Sequence, residues 1–185
     1  MSKTYFENFP TITFNSLIVK NITLKSSFLS DIFKAKTTFF PYMIVDGIRP
    51  DTIAHRYYGS SDYEWVVFFS NNIIDPYYQW PLTSTNFARY IVNKYGAVQN
   101  AFNTINYYMY NVTVNPSDIN FQYYENYQMS VASYNNLSPS EQGFWIPVTA
   151  YQDEFNINES KKNILLLDKL YLNQLEREIS SIMKQ

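Results

Sequence analysis

Apolar and polar positions keep a recognisable period over only part of this chain, and the best-ordered stretch runs from about residue 39 to residue 82. Phe40-Pro41-Tyr42-Met43-Ile44-Val45 is rich in aromatic and branched side chains, which suit a pleated strand, and Asp46-Gly47 closes it with a turn. Pro50 or Asp51 opens a short helix, since neither position needs an intrahelical N–H bond, and Gly59 ends it. Ser61 or Asp62 caps a second helix, in which Trp65, Phe68 and Phe69 recur at three-and-four spacing until Asn71-Asn72 stops it. Asp75-Pro76 then breaks the chain, and Tyr77-Tyr78-Gln79-Trp80-Pro81 is expected to be extended.

Elsewhere the pattern is weaker. Residues 1–38 hold short β-rich runs, Thr11-Ile12-Thr13-Phe14 and Leu17-Ile18-Val19, followed by a short helical stretch at 27–33. No period persists, so an extended N-terminal arm docking on another surface is expected, with a private hairpin as the alternative. Residues 83–96 predict a third helix, capped by Ser84 or Thr85, with Phe87, Tyr90 and Ile91 on one face and Gly96 at its end. Residues 97–157 are rich in Asn, Tyr, Ser and Pro and are expected to be irregular beyond a strand starting near Tyr107. The run Tyr123, Tyr124, Tyr127 and Tyr134 also fits a helix. From Asn158 the spacing of Ile164, Leu167, Tyr171, Leu175, Ile179 and Ile182 predicts one helix reaching about Met183. Leu165, Leu166, Leu170 and Leu172 widen its apolar surface, so its first half should be buried on more than one side, in its own domain or against a partner. The whole reads as an α+β protein: an arm at 1–38, a module at 39–82, a helical extension at 83–96, an irregular region at 97–157 and a terminal helix at 158–185.

Composition changes this picture in one respect. Aromatic residues make up 19% of the 185 residues, including 18 Tyr and 14 Phe, and so small a chain cannot enclose that many rings in one interior. Some rings are therefore expected at contacts with other proteins, where tyrosine tolerates burial and still finds a hydrogen-bond partner. The net charge of −2, with no Lys/Arg cluster, provides no footprint for a phosphate backbone, so nucleic acid is not an expected partner. No stretch approaches the roughly 18 to 20 apolar residues of a membrane span. With no Cys there is neither a disulfide nor a thiolate metal site, which suits an intracellular, reducing compartment.

Chemical machinery is sparse. His55 is the one histidine, set between Ala54 and Arg56 in a short helix with no partner for catalysis or metal binding. Four glycines are too few for a phosphate-cradling loop or a dinucleotide fingerprint, and no nucleophile elbow is present. The carboxylate pairs to consider for glycoside hydrolysis are Asp51 with Glu64 and Asp153 with Glu154, but caps and a solvated helix start account for these residues. No enzyme, cofactor, metal or small-molecule substrate is expected.

The run from Tyr42 through Gly47, Arg49-Pro50-Asp51-Thr52-Ile53-Ala54, Tyr58-Gly59, Trp65 and Asn71-Asn72-Ile73 resembles a LysM module, a βααβ unit whose usual role is binding N-acetylglucosamine polymers. Its second strand would fall within residues 75–82, which lack the Pro-Gly-rich ending of that family. With Asn72-Ile73-Ile74-Asp75-Pro76, Trp80-Pro81-Leu82, Lys94-Tyr95-Gly96, Trp145-Ile146-Pro147-Val148-Thr149 and Asn158-Glu159-Ser160-Lys161-Lys162, the chain is similar to the LysM-containing baseplate wedge protein of T-even-like contractile-tailed phages. That resemblance covers most of the chain and is least distinctive over 97–140. It implies a virion structural subunit, assembled in the host cytoplasm, that joins adjacent wedges of a six-fold baseplate and contacts several other wedge proteins. Ile53, Tyr58, Trp65 and Phe68 are the expected module core. Tyr77, Tyr78, Trp80, Leu167, Leu170 and Leu175 are the expected interface residues, although Trp80 serves equally well to close the module's own core. The rival is a carbohydrate-binding module for N-acetylglucosamine-containing cell-wall glycan.

Overall fold

Proline cannot donate to a β-ladder, so within a sheet it belongs on an outward edge. In the computed structural model, which describes residues 9–21, 38–111 and 127–182, Pro41 holds that position in strand β3 (Phe39–Met43). Strands β1 (Thr11–Phe14) and β2 (Leu17–Lys20) form an N-terminal hairpin. β3 pairs antiparallel with β7 (Asn163–Leu167), Phe39 opposite Leu167 and Met43 opposite Asn163. The Ile44 N–H donates to the Lys162 carbonyl at 2.8 Å and the Asp168 N–H to the Thr38 carbonyl at 2.9 Å. Bonded pairs alternate along such a ladder and therefore fall on even positions of β3, which leaves Pro41 facing away from β7.

Between these strands come the two expected helices. α1 (Pro50–Tyr58) begins with proline in its first turn and ends at Gly59, whose φ of 91° is the left-handed conformation that glycine adopts without strain. A 3₁₀ turn (Ser61–Tyr63), capped by the Ser60 hydroxyl, leads into α2 (Glu64–Ser70), and Asn72 at φ 53° terminates it. The closing strand is not at 75–82. Asp75 instead accepts a hydrogen bond from the Tyr77 N–H and caps the single turn α3 (Pro76–Gln79), because Asp followed by Pro is a helix-start pair.

The strand that completes the βααβ order comes after a long excursion, and the helix expected over 158–185 is interrupted to supply it. Helix α8 (Ala150–Ser160) ends before β7, a 3₁₀ turn follows at Lys169–Tyr171, and only Leu172–Ile182 forms the terminal helix α9. The apolar run Ile164 to Leu167 fits a strand as well as a helix, and here Ile164 and Leu166 are buried on one face while Leu165 is exposed on the other, the alternation of a strand. The Asp168 carboxylate accepts the Leu170 N–H and restarts helical structure beyond it.

Two compact units result, Met1–Pro81 with Lys161–Gln185, and Leu82–Ser160. In the first, Trp65, Val66, Leu167, Leu172, Leu175 and Ile179 pack together with Phe9, and Ile44, Ile53, Ala54, Val67, Ile164 and Leu166 form a second cluster. The N-terminal segment carries a hairpin, β1 (Thr11–Phe14) with β2 (Leu17–Lys20), turned by Asn15 and Ser16, both at positive φ. The helix expected at 27–33 lies outside the described residues.

The second unit opens with α4 (Ser84–Tyr95), capped by Thr83 and not by Ser84 or Thr85, and continues through α5 (Val98–Asn103). Residues 97–157, expected to be irregular, contain a three-stranded antiparallel sheet in the order β5–β4–β6: Gln128–Ser130, Ile105–Tyr110 and Trp145–Thr149. Single turns at Val131–Tyr134 (α6) and Pro139–Gln142 (α7) lie between β5 and β6. Phe87, Ile91 and Ala101 form the core, joined by Tyr90, Tyr95 and Tyr151, while the Tyr108 and Tyr134 rings stack at 3.5 Å. Many of the surplus rings are thus used internally. Tyr123 and Tyr124 lie outside the described residues.

Candidate interaction surfaces

Ile53 and Trp65 are buried in the first unit, and Tyr58 and Phe68 are half-buried beside them. The Tyr58 hydroxyl donates to the Leu167 carbonyl at 3.1 Å. Burial, with the neighbouring Tyr57 and Asp168, pushes that phenol well above its ordinary pKa, so it remains a donor. Trp80 sits edge-on to Phe68 at 6.1 Å, and its Nε1–H donates to the Ile48 carbonyl at 3.2 Å. Both ends of this indole are therefore engaged within its own unit, the role anticipated as the alternative to an interface.

Tyr77 and Tyr78 have a different environment. They are 80% and 71% exposed, with ring centroids 5.0 Å apart and planes at 79°. Their backbone is tied on several sides. The Asp75 carboxylate accepts the Tyr77 N–H, the Gln79 side-chain oxygen accepts the N–H groups of Ile74 and Asp75, and the Lys161 ammonium donates to the Tyr78 carbonyl. The turn is held while its rings stay out, and Ile74 is also exposed beside them.

The three leucines expected on one helix separate. Leu167 is on β7 and Leu175 on α9, both buried in the first unit's core, whereas Leu170 lies in the 3₁₀ turn and is 83% exposed. Of the three, Leu170 alone is exposed.

The carboxylates have structural partners. Asp51 faces Arg49 and accepts the Thr52 N–H. Asp153 accepts from Asn106 and the Tyr107 hydroxyl. Glu154, buried between α4 and α8, receives the Lys94 ammonium and the hydroxyls of Tyr90 and Tyr95. Burial alone would raise its carboxyl pKa, but these donors outweigh burial and hold it below the ordinary value. A general acid for glycoside cleavage needs the opposite shift. Among the described residues no group of His, Asp and Glu is arranged to hold a metal ion, and no helix is long and apolar enough to cross a membrane.

A family model described as base plate wedge protein 53 matches residues 1–184, nearly the whole chain. The chain belongs to that family. No curated protein matches it. Family membership places this base plate wedge protein in the tail baseplate of the virion as a structural component that assembles with other baseplate proteins. Tyr77 and Tyr78 were expected contacts from the sequence alone, whereas the Gln79 and Lys161 side chains that hold their turn were not anticipated. Gln79 was visible only as one polar residue in an aromatic run, and Lys161 comes from the far side of the excursion.

Proposed function

We propose that this base plate wedge protein joins adjacent wedges of a six-fold baseplate by contacting several other wedge proteins, with Tyr77 and Tyr78 as a principal contact. The observation that carries this reading is the pair of exposed rings on a turn fixed by Asp75, Gln79 and Lys161. Tyrosine is enriched among residues that dominate binding energy, and a backbone already ordered before association loses less freedom when a partner covers it. Leu170 is a secondary contact. Trp80, Leu167 and Leu175 act by keeping the first unit folded.

The test is the double variant Tyr77→Ala, Tyr78→Ala, co-expressed with the phage's other baseplate proteins. Baseplate formation should fall at least tenfold, while the far-ultraviolet spectrum and melting temperature of the purified chain stay unchanged. Normal baseplate formation would refute the role of this pair. Binding of N-acetylglucosamine oligomers separates the rival reading: the structural role predicts no saturable binding, and saturable binding lost in the same variant would favour a glycan-binding module.

A further inference from the structure

The N-terminal hairpin presents a surface that neither unit's core uses. Its register pairs Ile12 with Val19 and Phe14 with Leu17, so these four side chains share one face, while Thr11, Thr13, Ile18 and Lys20 share the other. The first face is uncharged and open: Ile12 is 42% exposed, Phe14 62%, Leu17 67% and Val19 37%. None of the four belongs to a core cluster among the described residues.

The root of the hairpin is fixed. Phe9 is 2% exposed and packs in the cluster of Trp65, Leu167 and Leu175, which plugs the start of the ribbon into the first unit. The Lys20 ammonium donates to the Phe9 carbonyl and the Asn21 N–H to the Pro10 carbonyl, both at 2.8 Å, extending the ladder to the base. A two-stranded ribbon is only marginally stable in water without a surface against its apolar face. A contiguous apolar patch left open on a soluble subunit marks an interaction site, and this face carries no charged residue.

We propose that the Ile12, Phe14, Leu17 and Val19 face is a second docking surface, covered in the assembled baseplate by an uncharged apolar surface of another baseplate protein. The lack of any charge on the face selects an occupant equally free of charge, because an unpaired charge buried against it would be costly. The inference rests on the wedge-joining reading, since a subunit that joins two neighbours needs contact surfaces beyond the Tyr77 and Tyr78 turn.

Photo-crosslinking tests it in the whole assembly. Benzoylphenylalanine is placed at position 14 or 17, at position 18 on the opposite face as a control, and at position 77, and baseplates are assembled from the co-expressed phage proteins. Positions 14 and 17 should each crosslink to a different baseplate protein at least fivefold more than position 18. Crosslinks confined to this same chain or to a second copy of it would overturn the proposal, as would equal yields from both faces. If position 77 crosslinks to another baseplate protein while 14 and 17 do not, the hairpin proposal fails and the joining role stands. If no position crosslinks in assembled baseplates, both fail. In parallel, Phe14→Ser with Leu17→Ser should lower incorporation into baseplates at least tenfold while leaving the melting temperature of the purified chain unchanged. Undiminished incorporation would refute it.

Discussion

Strand β7 has one edge on β3, and side chains meet its other edge: the Tyr58 hydroxyl at the Leu167 carbonyl and the Asn71 carboxamide at Leu165. The Asn71 amide nitrogen donates to the carbonyls of Leu165 and Val67, both at 2.8 Å, and its oxygen accepts the Leu165 N–H at 2.7 Å. The side-chain amide thus replaces a neighbouring strand at Leu165 and secures the end of α2 at Val67. Asn71→Ala removes three bonds, each worth about 0.5–1.5 kcal/mol net. Leu165 is 44% exposed, so water restores part of the loss, and a destabilisation of about 1–3 kcal/mol is expected for the first unit. For a unit of roughly 100 residues this lowers the melting temperature by about 4–8 °C per kcal/mol.

Asn71→Asp sharpens the test because it changes one donor into an acceptor. At neutral pH one carboxylate oxygen still accepts the Leu165 N–H, but the other faces the carbonyls of Val67 and Leu165. Asn71→Asp should then be less stable than Asn71→Ala by about 1–2 kcal/mol. Repulsion raises the folded-state pKa of the introduced carboxyl above its unfolded value of about 3.9. Its penalty is accordingly absent below the unfolded pKa and appears as pH rises through the folded one. Urea denaturation of both variants at pH 7 and near pH 4, with hydrogen exchange at the Leu165 amide, measures the effect. An Asn71→Asp variant as stable as Asn71→Ala at pH 7, or a gap that does not narrow on acidification, would refute the reasoning.

Two further outcomes are expected. Ser16 occupies positive φ in the hairpin turn, where a non-glycine residue is disfavoured by about 1–2 kcal/mol, so Ser16→Gly should stabilise the ribbon by about 0.5–1 kcal/mol net and slow exchange of its amides two- to fivefold. Glu154 has a depressed carboxyl pKa, so its contribution is present above the unfolded value near 4.3 and lost as pH falls through the folded one. Glu154→Gln should cost the second unit about 1–3 kcal/mol at pH 7, with the gap from the natural chain closing below about pH 4 in denaturation curves.

What could be read directly from the residues was what is encoded locally. Pro50, Gly59 and Asn72 set the limits of α1 and α2 through their own backbone preferences, and these limits hold in the structure. Strand β7 depends on a partner far away in sequence, and Ile164 to Leu167 alone suits either a helix or a strand. The same limit hid the second unit's sheet, where Pro147 pairs opposite Tyr108 on an edge strand and made the segment resemble a loop. At the candidate surface, the surplus of rings pointed to exposed tyrosines, whereas helical spacing wrongly grouped buried Leu167 and Leu175 with exposed Leu170. The hairpin's apolar face was present as a period of two in Ile12 and Phe14, but four-residue strands are too short for the pattern to identify the face that matters.

The long excursion between α3 and β7 would be a poor way to close a sheet if it were a floppy loop, and the contacts at its ends explain why it is tolerated. Closing a flexible loop costs more as it lengthens, about 0.6 kcal/mol per doubling, but a folded insert whose ends are tied acts as a short connection. Within the second unit, the buried Asn158 accepts the Leu82 N–H at 2.7 Å and donates to the Leu82 carbonyl at 3.1 Å, joining the beginning of the unit to its end. Within the first, the Lys161 ammonium reaches the Tyr78 carbonyl at 2.8 Å, so the departing and returning chain meet there as well. Asn158 on Leu82 and Asn71 on Leu165 use the same device: one carboxamide presents a donor and an acceptor on a single planar carbon, as a peptide group does, and so satisfies both polar groups of a leucine backbone. Aspartate lacks the donor, and a single serine hydroxyl cannot span both groups. Asparagine at these two positions follows from the need to join segments distant in sequence where no neighbouring strand is available.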